Sequence, residues 1–348
     1  MSYTLILPVA GRSSRFPGMR PKWLLTMPDG KLMLEKAIEG LDLEVFSRIV
    51  VVCLKEHIEK YASLENLQAS FLKATGREAD FVVLDEATSS QSETIYKALE
   101  QGAVEGAFFI KDCDNIFTCT PEPKNCVATI NLNDIGLVDA KNKSYVEVDS
   151  LGIISNIVEK NVISNQFCCG GYGFASASDF IKTYQSITSS EEVYISHIIY
   201  KMILEGEEFS TINASEYEDW GTQREYRHYC RQFVTVFCDV DGVLLKNGSK
   251  FNDKGWKTTA IEENLEKLIE LQRQGHLYLV LTSSRPKSEI EYTVGHLKEM
   301  GLEVDDCLFG LPHARRLLIN DFSKTNPYPS AVAINLERDS KSLSDLLG

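Results

Sequence analysis

Two stretches of the chain concentrate side chains suited to handling phosphate. The first is Leu7-Pro8-Val9-Ala10-Gly11-Arg12-Ser13-Ser14-Arg15-Phe16, with Pro21-Lys22 behind it. A strand runs into a loop of small residues, and an Arg and a Lys follow. Small residues let backbone amides approach phosphate oxygens. The Arg15 guanidinium can grip two oxygens at once, and Lys22 adds a compact charge. The spacing is neither the GxxxxGK[ST] loop nor the GxGxxG turn. Farther along, Phe108-Phe109-Ile110-Lys111 ends in Asp112 and Asp114, and Glu218-Asp219 precedes Trp220-Gly221-Thr222. In open α/β sheets the carboxyl ends of the strands carry the ligand. That position suits Asp114 to holding Mg²⁺, a hard cation that prefers oxygen donors. Asp219 is the second carboxylate that could share such an ion with nucleotide phosphates.

The second stretch is Val236-Phe237-Cys238-Asp239-Val240-Asp241-Gly242-Val243-Leu244. It reads as a buried strand delivering two Asp at i and i+2. In extended backbone those side chains share a face, and Gly242 permits a sharp exit. Leu277–Leu281 reads as a strand ending in the hydroxyls of Thr282 and Ser283. Arg316–Ile319 reads as the start of another, leading to Asn320-Asp321.

The elements that must hold these groups follow from apolar patterning. Strands are expected at residues 3–9, Arg48–Cys53, Phe81–Leu84 and Ala107–Ile110. Helices are expected at Leu32–Leu41, near Lys55–Ala62, and at Glu93–Glu100. Continuous apolar strands alternating with helices predict a parallel sheet covered on both faces. Residues 126–175, with short alternating runs and turns, predict antiparallel strands laid over a site. A second alternation runs through Phe233–Cys238, the amphipathic helix Ile261–Gln274, Leu277–Leu281 and the helix Ser288–Met300. The charged stretch Gln223–Gln232 is the natural joint, so the expected domains are 1–230 and 231–348.

The chain has 348 residues, 43% of them hydrophobic, which suits two globular domains with real cores. A formal net charge of −14 argues against a nucleic-acid partner, because phosphate backbones demand clustered cations. Small anionic substrates remain compatible. No apolar run approaches a membrane span, and the N-terminus lacks a basic leader and a cleavage site. The nine cysteines show no CxxC pair or zinc-ligand spacing. Buried reduced thiols and a cytoplasmic location are the expectation.

Taken in order, the Ala-Gly-x-x-x-Arg…Pro-Lys loop, Asp114, Glu159-Lys160, the Gly170-Gly171-Tyr172-Gly173-Phe174 run and Asp219-x-Gly221-Thr222 resemble the sugar-phosphate nucleotidyltransferases over about residues 1–228. The resemblance implies a Rossmann-like fold with a mixed sheet. It implies that Ala10, Gly11 and Ser13 line the nucleotide, with Thr88–Thr94 near the base and acceptor. Arg15 and Lys22 would bind its phosphates, and Asp114 and Asp219 would hold Mg²⁺. Glu159, Lys160 and Gly171 would face the acceptor. Two positions depart from the pattern: Ser13 stands for the second loop glycine, and Ser196 for an acid of the late helix.

Residues 232–348 resemble the haloacid dehalogenase superfamily, through Asp239-Val240-Asp241-Gly242, the strand ending at Thr282, and Asn320-Asp321. The resemblance implies a Rossmannoid phosphatase-like domain. Asp239 would attack phosphorus, Asp241 would serve as acid and then base, and Thr282 would hold the phosphoryl group. Asp239, Asp321 and the Val240 carbonyl would bind Mg²⁺. Arg315, Arg316 and Lys287 all stand available for the third motif's basic residue. The short span between Gly242 and Thr282 leaves no room for a large cap.

The leading expectation is a bifunctional enzyme. One half would transfer a nucleotidyl group from a nucleoside triphosphate to a sugar- or polyol-phosphate, as for surface polysaccharide precursors. The other would hydrolyse a phosphomonoester. A catalytically inactive C-terminal binding or dimerisation domain is the second reading, and a nucleotide-sensing regulator without turnover the third. The sequence names neither base nor acceptor, and leaves an oligomer open.

Overall fold

The computed structural model describes residues 3–101, 104–135, 143–187, 192–251, 253, 255–321 and 331–347. The chain separates into two units, Met1–Arg227 and His228–Gly348, a division just ahead of residue 231.

The first unit begins β1 (Tyr3–Pro8), α1 (Met33–Lys36), β2 (Arg48–Leu54), α2 (Lys55–Tyr61), α3 (Leu64–Thr75), β3 (Asp80–Leu84), α4 (Gln91–Glu100) and β4 (Ala107–Lys111). It continues with β5 (Asn115–Thr118), β6 (Cys126–Asn131), β7 (Ser144–Val148), β8 (Ile154–Glu159) and β9 (Gln166–Phe174). Then come α5 (Ala177–Ser186), α6 (Ile195–Leu204), β10 (Ser210–Asn213), β11 (Ser215–Asp219) and α7 (Gln223–Gln232), the last crossing the division.

The main sheet runs β10-β6-β9-β4-β1-β2-β3. β1 lies parallel to β2 and β4, and β2 to β3. β1, β2 and β4 are near-continuous apolar runs because both their faces are covered. β9 enters antiparallel between β4 and β6, so the sheet is mixed. β9 is thus a central strand rather than one laid over a site. β7 pairs with β8 and, at Tyr145, with β9. Outside the main sheet, β11 pairs antiparallel with β5.

The core joins Val50, Val52, Ile110 and Phe174 of the sheet to Ile95, Phe180 and Ile198 of the covering helices. Phe108, Phe174 and Phe180 form an aromatic triangle with centroids 4.9–5.6 Å apart. Each such side chain contributes roughly 1.5–3 kcal/mol by burial.

Two helices of the first alternation also differ from expectation. The helix over Leu32–Leu41 stops at Lys36. Gly40 lies so close to β5 that a Cβ there would sit 2.2 Å from the Phe117 carbonyl oxygen, and Leu41 bridges Cys119. The chain must leave helical geometry to make that approach. The unexpected helix α3 is bracketed by its own signals. The Ser63 side chain accepts from the Asn66 amide, and Gly76 closes the C-terminus at φ 71°.

The second unit contains β12 (Val234–Asp239), α8 (Glu262–Arg273), β13 (Leu277–Ser283), α9 (Ile290–Glu299), β14 (Asp306–Phe309) and α10 (Leu343–Leu347). Its parallel sheet runs β12-β13-β14. Leu279, Leu281 and Phe309 pack with Leu265, Leu268 and Leu297 of the helices. The strand expected at Arg316–Ile319 does not form. That stretch is irregular and exposed, Ile319 at 88%, and the third strand is Asp306–Phe309. An apolar run becomes a strand only where an edge accepts its backbone hydrogen bonds.

Seven of the nine cysteines are buried, and all nine are thiols outside any disulfide. Among the described residues no helix is long and apolar enough to cross a membrane.

Candidate active site

The small-residue loop leaves β1 at Pro8 and is closed by its own side chains. Ser13 takes a left-handed backbone conformation, φ 50°, which explains why glycine would also suit this position. Its hydroxyl accepts from the Lys22 amide at 3.1 Å. Lys22 then opens a single 3₁₀ turn that buries Trp23 and Leu24. The loop is thereby tied at both ends, and Lys22 is held against the core.

β4, the neighbour of β1, ends beside this loop and carries the acidic turn. Lys22 Nζ donates to Asp114 Oδ2 at 2.5 Å, and Arg15 Nη2 to the same oxygen at 3.3 Å. Burial pushes the Asp114 carboxyl up, but Lys22 and Arg15 outweigh it and hold it well below the usual carboxylate range. Asp112 behaves oppositely. Burial and then Asp114 push it up to about 6, against the Gln91 side chain that donates to it.

Asp219 arrives from the other end of the unit through the β11–β5 pairing, which sets it opposite Asn115. The Trp220 amide donates to the Asp114 carbonyl at 2.8 Å. Thr222 and Glu225 then cap one another's amides at the start of α7. A Cβ built on Gly221 would lie 3.0 Å from Asp219 Oδ1, 3.3 Å from Asp114 Oδ2 and 3.3 Å from Arg15 Nη1. Both carboxylates and the guanidinium therefore converge on one point. Lys143 donates to Asp219 Oδ2 and, at 2.5 Å, to the Tyr217 hydroxyl.

These groups line one end of a cleft of about 720 Å³. Glu159 and Lys160 line it too, as do Gly11, Ser13 and Thr94. Ser144 and Ser196 both donate to Glu159 Oε2. Lys160, in left-handed backbone at φ 54°, donates to the Tyr194 hydroxyl at 2.6 Å. Two expected residues are not among the lining. Ala10 belongs to the core. Gly171 turns its Cα toward Phe109, Phe117 and Ala128, while Gly170 and Tyr172 line the cleft.

The sequence motifs single out neither Asp112, Lys143 nor Tyr217 as site residues, and they reach Gln91 only as part of the Thr88–Thr94 stretch. Asp112 stands beside Asp114 and was legible as a carboxylate. Lys143 carries no motif and is supplied by the fold alone. The cleft offers hard oxygen donors, Asp114 and Asp219 with Asp112 beside them, among fixed cations. That chemistry fits a Mg²⁺-phosphate complex better than a soft metal. Among the described residues no group of three or more His, Cys, Asp or Glu is placed to hold a metal ion by itself, so a cation shared by Asp114 and Asp219 would take its other ligands from phosphate oxygens and water.

In the second unit, β12 and β13 pair Asp239 with Thr282. Arg316 joins them, with Nη1 3.1 Å from Thr282 Oγ1 and Nη2 3.4 Å from Asp239 Oδ1. Gly242, at φ 83°, turns the chain where a Cβ would meet Arg338 at 3.0 Å. Asp241 is clamped by Arg285, whose Nε and Nη2 donate to its two oxygens at 2.9 and 2.8 Å. Arg285 is fully buried, bonded also to Thr293 and stacked over Trp256. The Val240 carbonyl accepts from the amides of Leu244 and Leu245. Asp321 lies on the exposed irregular stretch, and no contact among the described residues joins it to Asp239. Lys287 packs beside Gly310.

Residues 5–122 match the family described as MobA-like NTP transferase domain. Among solved structures the chain is similar to a nucleoside-diphosphate-sugar pyrophosphorylase from Vibrio cholerae RC9, with TM-score 0.56 and 18% identity over 65% of this chain and 99% of that one. It is also similar to the inositol-1-phosphate CTP transferase from T. maritima, with TM-score 0.52 and 17% identity over 65% and 91%. A UDP-glucose pyrophosphorylase solved with UDP-glucose gives 0.52 and 16% over 66% and 98%. No curated protein matches. At these identities the likeness is one of fold: the N-terminal part carries a nucleotidyltransferase-type sheet.

Proposed function

We propose that the first unit transfers a nucleotidyl group from a nucleoside triphosphate to a sugar- or polyol-phosphate and releases pyrophosphate. The observation that carries this reading is the convergence of Lys22, Arg15, Asp114 and Asp219 at the mouth of a cleft. An acceptor phosphate oxygen attacks the α-phosphorus, a new P–O bond forms, and the bond to the pyrophosphate oxygen breaks. The attacking phosphate is already anionic, so positioning and charge neutralisation dominate. Lys22 and Arg15 take the charge that grows on the leaving pyrophosphate. Mg²⁺, held by Asp114 and Asp219, would supply charge screening between the two anions. Glu159, with Oε2 fixed by Ser144 and Ser196, keeps Oε1 for acceptor hydroxyls, and Lys160 adds a cation near them.

Pyrophosphate release, followed with four nucleoside triphosphates against a panel of sugar and polyol phosphates, tests this. One pair should turn over, and Asp114→Asn and Asp219→Asn should abolish it. Pyrophosphate absent from every combination would refute the reading.

For the second unit the proposal is phosphomonoester hydrolysis through an aspartyl phosphate on Asp239, with Thr282 and Arg316 holding the phosphoryl group. The bidentate Arg285–Asp241 pair favours a second reading, a phosphate-binding module without turnover, because it engages both oxygens of the expected acid–base. Hydrolysis of p-nitrophenyl phosphate that is lost in Asp239→Asn separates the two.

A further inference from the structure

Beneath the acidic turn lies a cation that the proposed chemistry does not use. Lys111, the last residue of β4, is fully buried. Its Nζ donates to the Asp112 carbonyl at 2.6 Å, the Asn115 carbonyl at 2.9 Å and Asn115 Oδ1 at 2.6 Å. The same nitrogen lies 4.4 Å from the centre of the Phe117 ring. An ammonium carries three donors and no acceptor, so three oxygens satisfy it completely. A neutral amine would turn a lone pair toward one of them. Burial pulls the Lys111 pKa down, and the Asp112 and Asp114 carboxylates oppose that.

A buried ion is costly unless it is paired and hydrogen-bonded. A leucine or methionine would fill the same space at the end of an apolar strand. The acceptors, however, are not scattered: all three belong to the two ends of the turn that carries Asp112 and Asp114. Asn115 is also the β5 residue opposite Asp219 in the β11 register. One nitrogen therefore ties together the backbone that presents each carboxylate. Asp112 is held from its other sides as well. Gln91 donates to its Oδ1, its amide donates to the Gly170 carbonyl at 2.8 Å, and a Cβ on Gly170 would come within 2.6 Å of its Oδ2.

We propose that Lys111 is a positioning residue: an internal ammonium that cinches the Asp112–Asn115 turn, so that Asp114 and, through Asn115, Asp219 face the cleft at a spacing set for one divalent cation. The proposal rests on the reading of that cleft as a cation-dependent nucleotide site. It assigns Lys111 no contact with substrate. Without the ammonium, three buried acceptors lose their donor and the turn relaxes, spreading the carboxylates.

The test is Mn²⁺ binding to the full chain, measured by the electron paramagnetic resonance of free Mn²⁺, beside thermal melting in chelator. Wild type should bind Mn²⁺. Lys111→Met should weaken that binding at least tenfold while still melting cooperatively. Asn115→Ala, which removes one acceptor and leaves the backbone, should weaken it several-fold and serves should Lys111→Met fail to fold. A purely structural role would lower the melting temperature and leave Mn²⁺ affinity unchanged. A folded variant binding within twofold of wild type overturns the proposal. Absence of Mn²⁺ binding by wild type overturns the cation-site reading itself, and with it the role of Lys111.

Discussion

Lys22 Nζ stands 2.5 Å from Asp114 Oδ2, a contact between residues 92 positions apart. The pairing joins the loop after β1 to the end of β4, and those two strands are hydrogen-bonded neighbours. Lys22→Met should therefore act twice. Losing the charge that meets the leaving group should cost roughly 2–4 kcal/mol of barrier, on the order of 10²–10³ in kcat/KM. It should also leave Asp114 with Arg15 in direct contact and Lys143 farther off. A carboxylate held low contributes stability above its unfolded pKa and loses it as pH falls through the folded value. Lys22→Met should shrink that contribution, which urea unfolding near neutral pH would register as a lower midpoint. Pyrophosphate release within threefold of wild type would contradict the catalytic role.

Asp112 should show the reverse sign. Burial and Asp114 push it up to about 6, from an unfolded value of about 3.9. The native state then holds its proton more tightly than the unfolded state. Stability from this group is fully present below about pH 4 and is lost as pH rises through about 6. Asp112→Asn removes that loss, and the Asn oxygen still accepts from Gln91. In chelator the variant should gain roughly 1–3 kcal/mol at about pH 7.5 and little at about pH 4.5. Urea midpoints at the two pH values check the sign. Activity should fall in the same variant, since a carboxylate facing the cleft is gone.

Gly221 is not among the residues with left-handed backbone, so its lack of a side chain is a matter of space. A methyl group there would stand 3.0 Å from Asp219 Oδ1 and 3.3 Å from Asp114 Oδ2 and Arg15 Nη1. Gly221→Ala should fold with a melting temperature near that of wild type, because the methyl enters the cleft mouth and not the core. Pyrophosphate release and Mn²⁺ binding should both drop at least tenfold. An alanine variant with wild-type turnover would show that the point between the carboxylates is not used.

What could be read from the chain beforehand was set by period and position. Continuous apolar runs marked β1, β2, β4, β12 and β13. Each run ends in residues that later lie in a cleft or beside Asp239, since strand ends are where a parallel sheet opens. Lys143 could not be read so, because only the β7 strand start and the β11–β5 pairing bring it to Asp219. Gly171, placed at the acceptor by the family resemblance, lies one position away from a residue that lines the cleft. Successive strand residues face opposite sides, and Gly170, one position earlier, is the residue beside Asp112. Lys111 reads in sequence as the polar end of a strand, and only the folded turn gives its nitrogen three oxygens. β14 is hard to read because its Asp306-Cys307-Leu308-Phe309 is short, while the apolar Arg316–Ile319 stretch pairs with none of the described strands and is irregular.

The two arginines of the second unit should separate by what their loss disturbs. Arg285 is fully buried and holds Asp241 through two bonds. Its removal leaves a carboxylate partly buried without its cation, a class of change that costs roughly 3–5 kcal/mol. Arg285→Met should therefore lower the unfolding midpoint of the unit that contains it. Arg316 is half exposed and touches Thr282 and Asp239 from the edge, so Arg316→Ala should leave that midpoint nearly unchanged. If Asp239 is a nucleophile, the same substitution should raise KM for p-nitrophenyl phosphate at least tenfold, because the guanidinium sits where phosphoryl oxygens would lie. Should wild type lack hydrolysis, the binding-module reading predicts that inorganic phosphate raises the melting temperature, and that Arg316→Ala removes this shift. Hydrolysis and phosphate stabilisation both unaffected by Arg316→Ala would strip the residue of any phosphate-binding role.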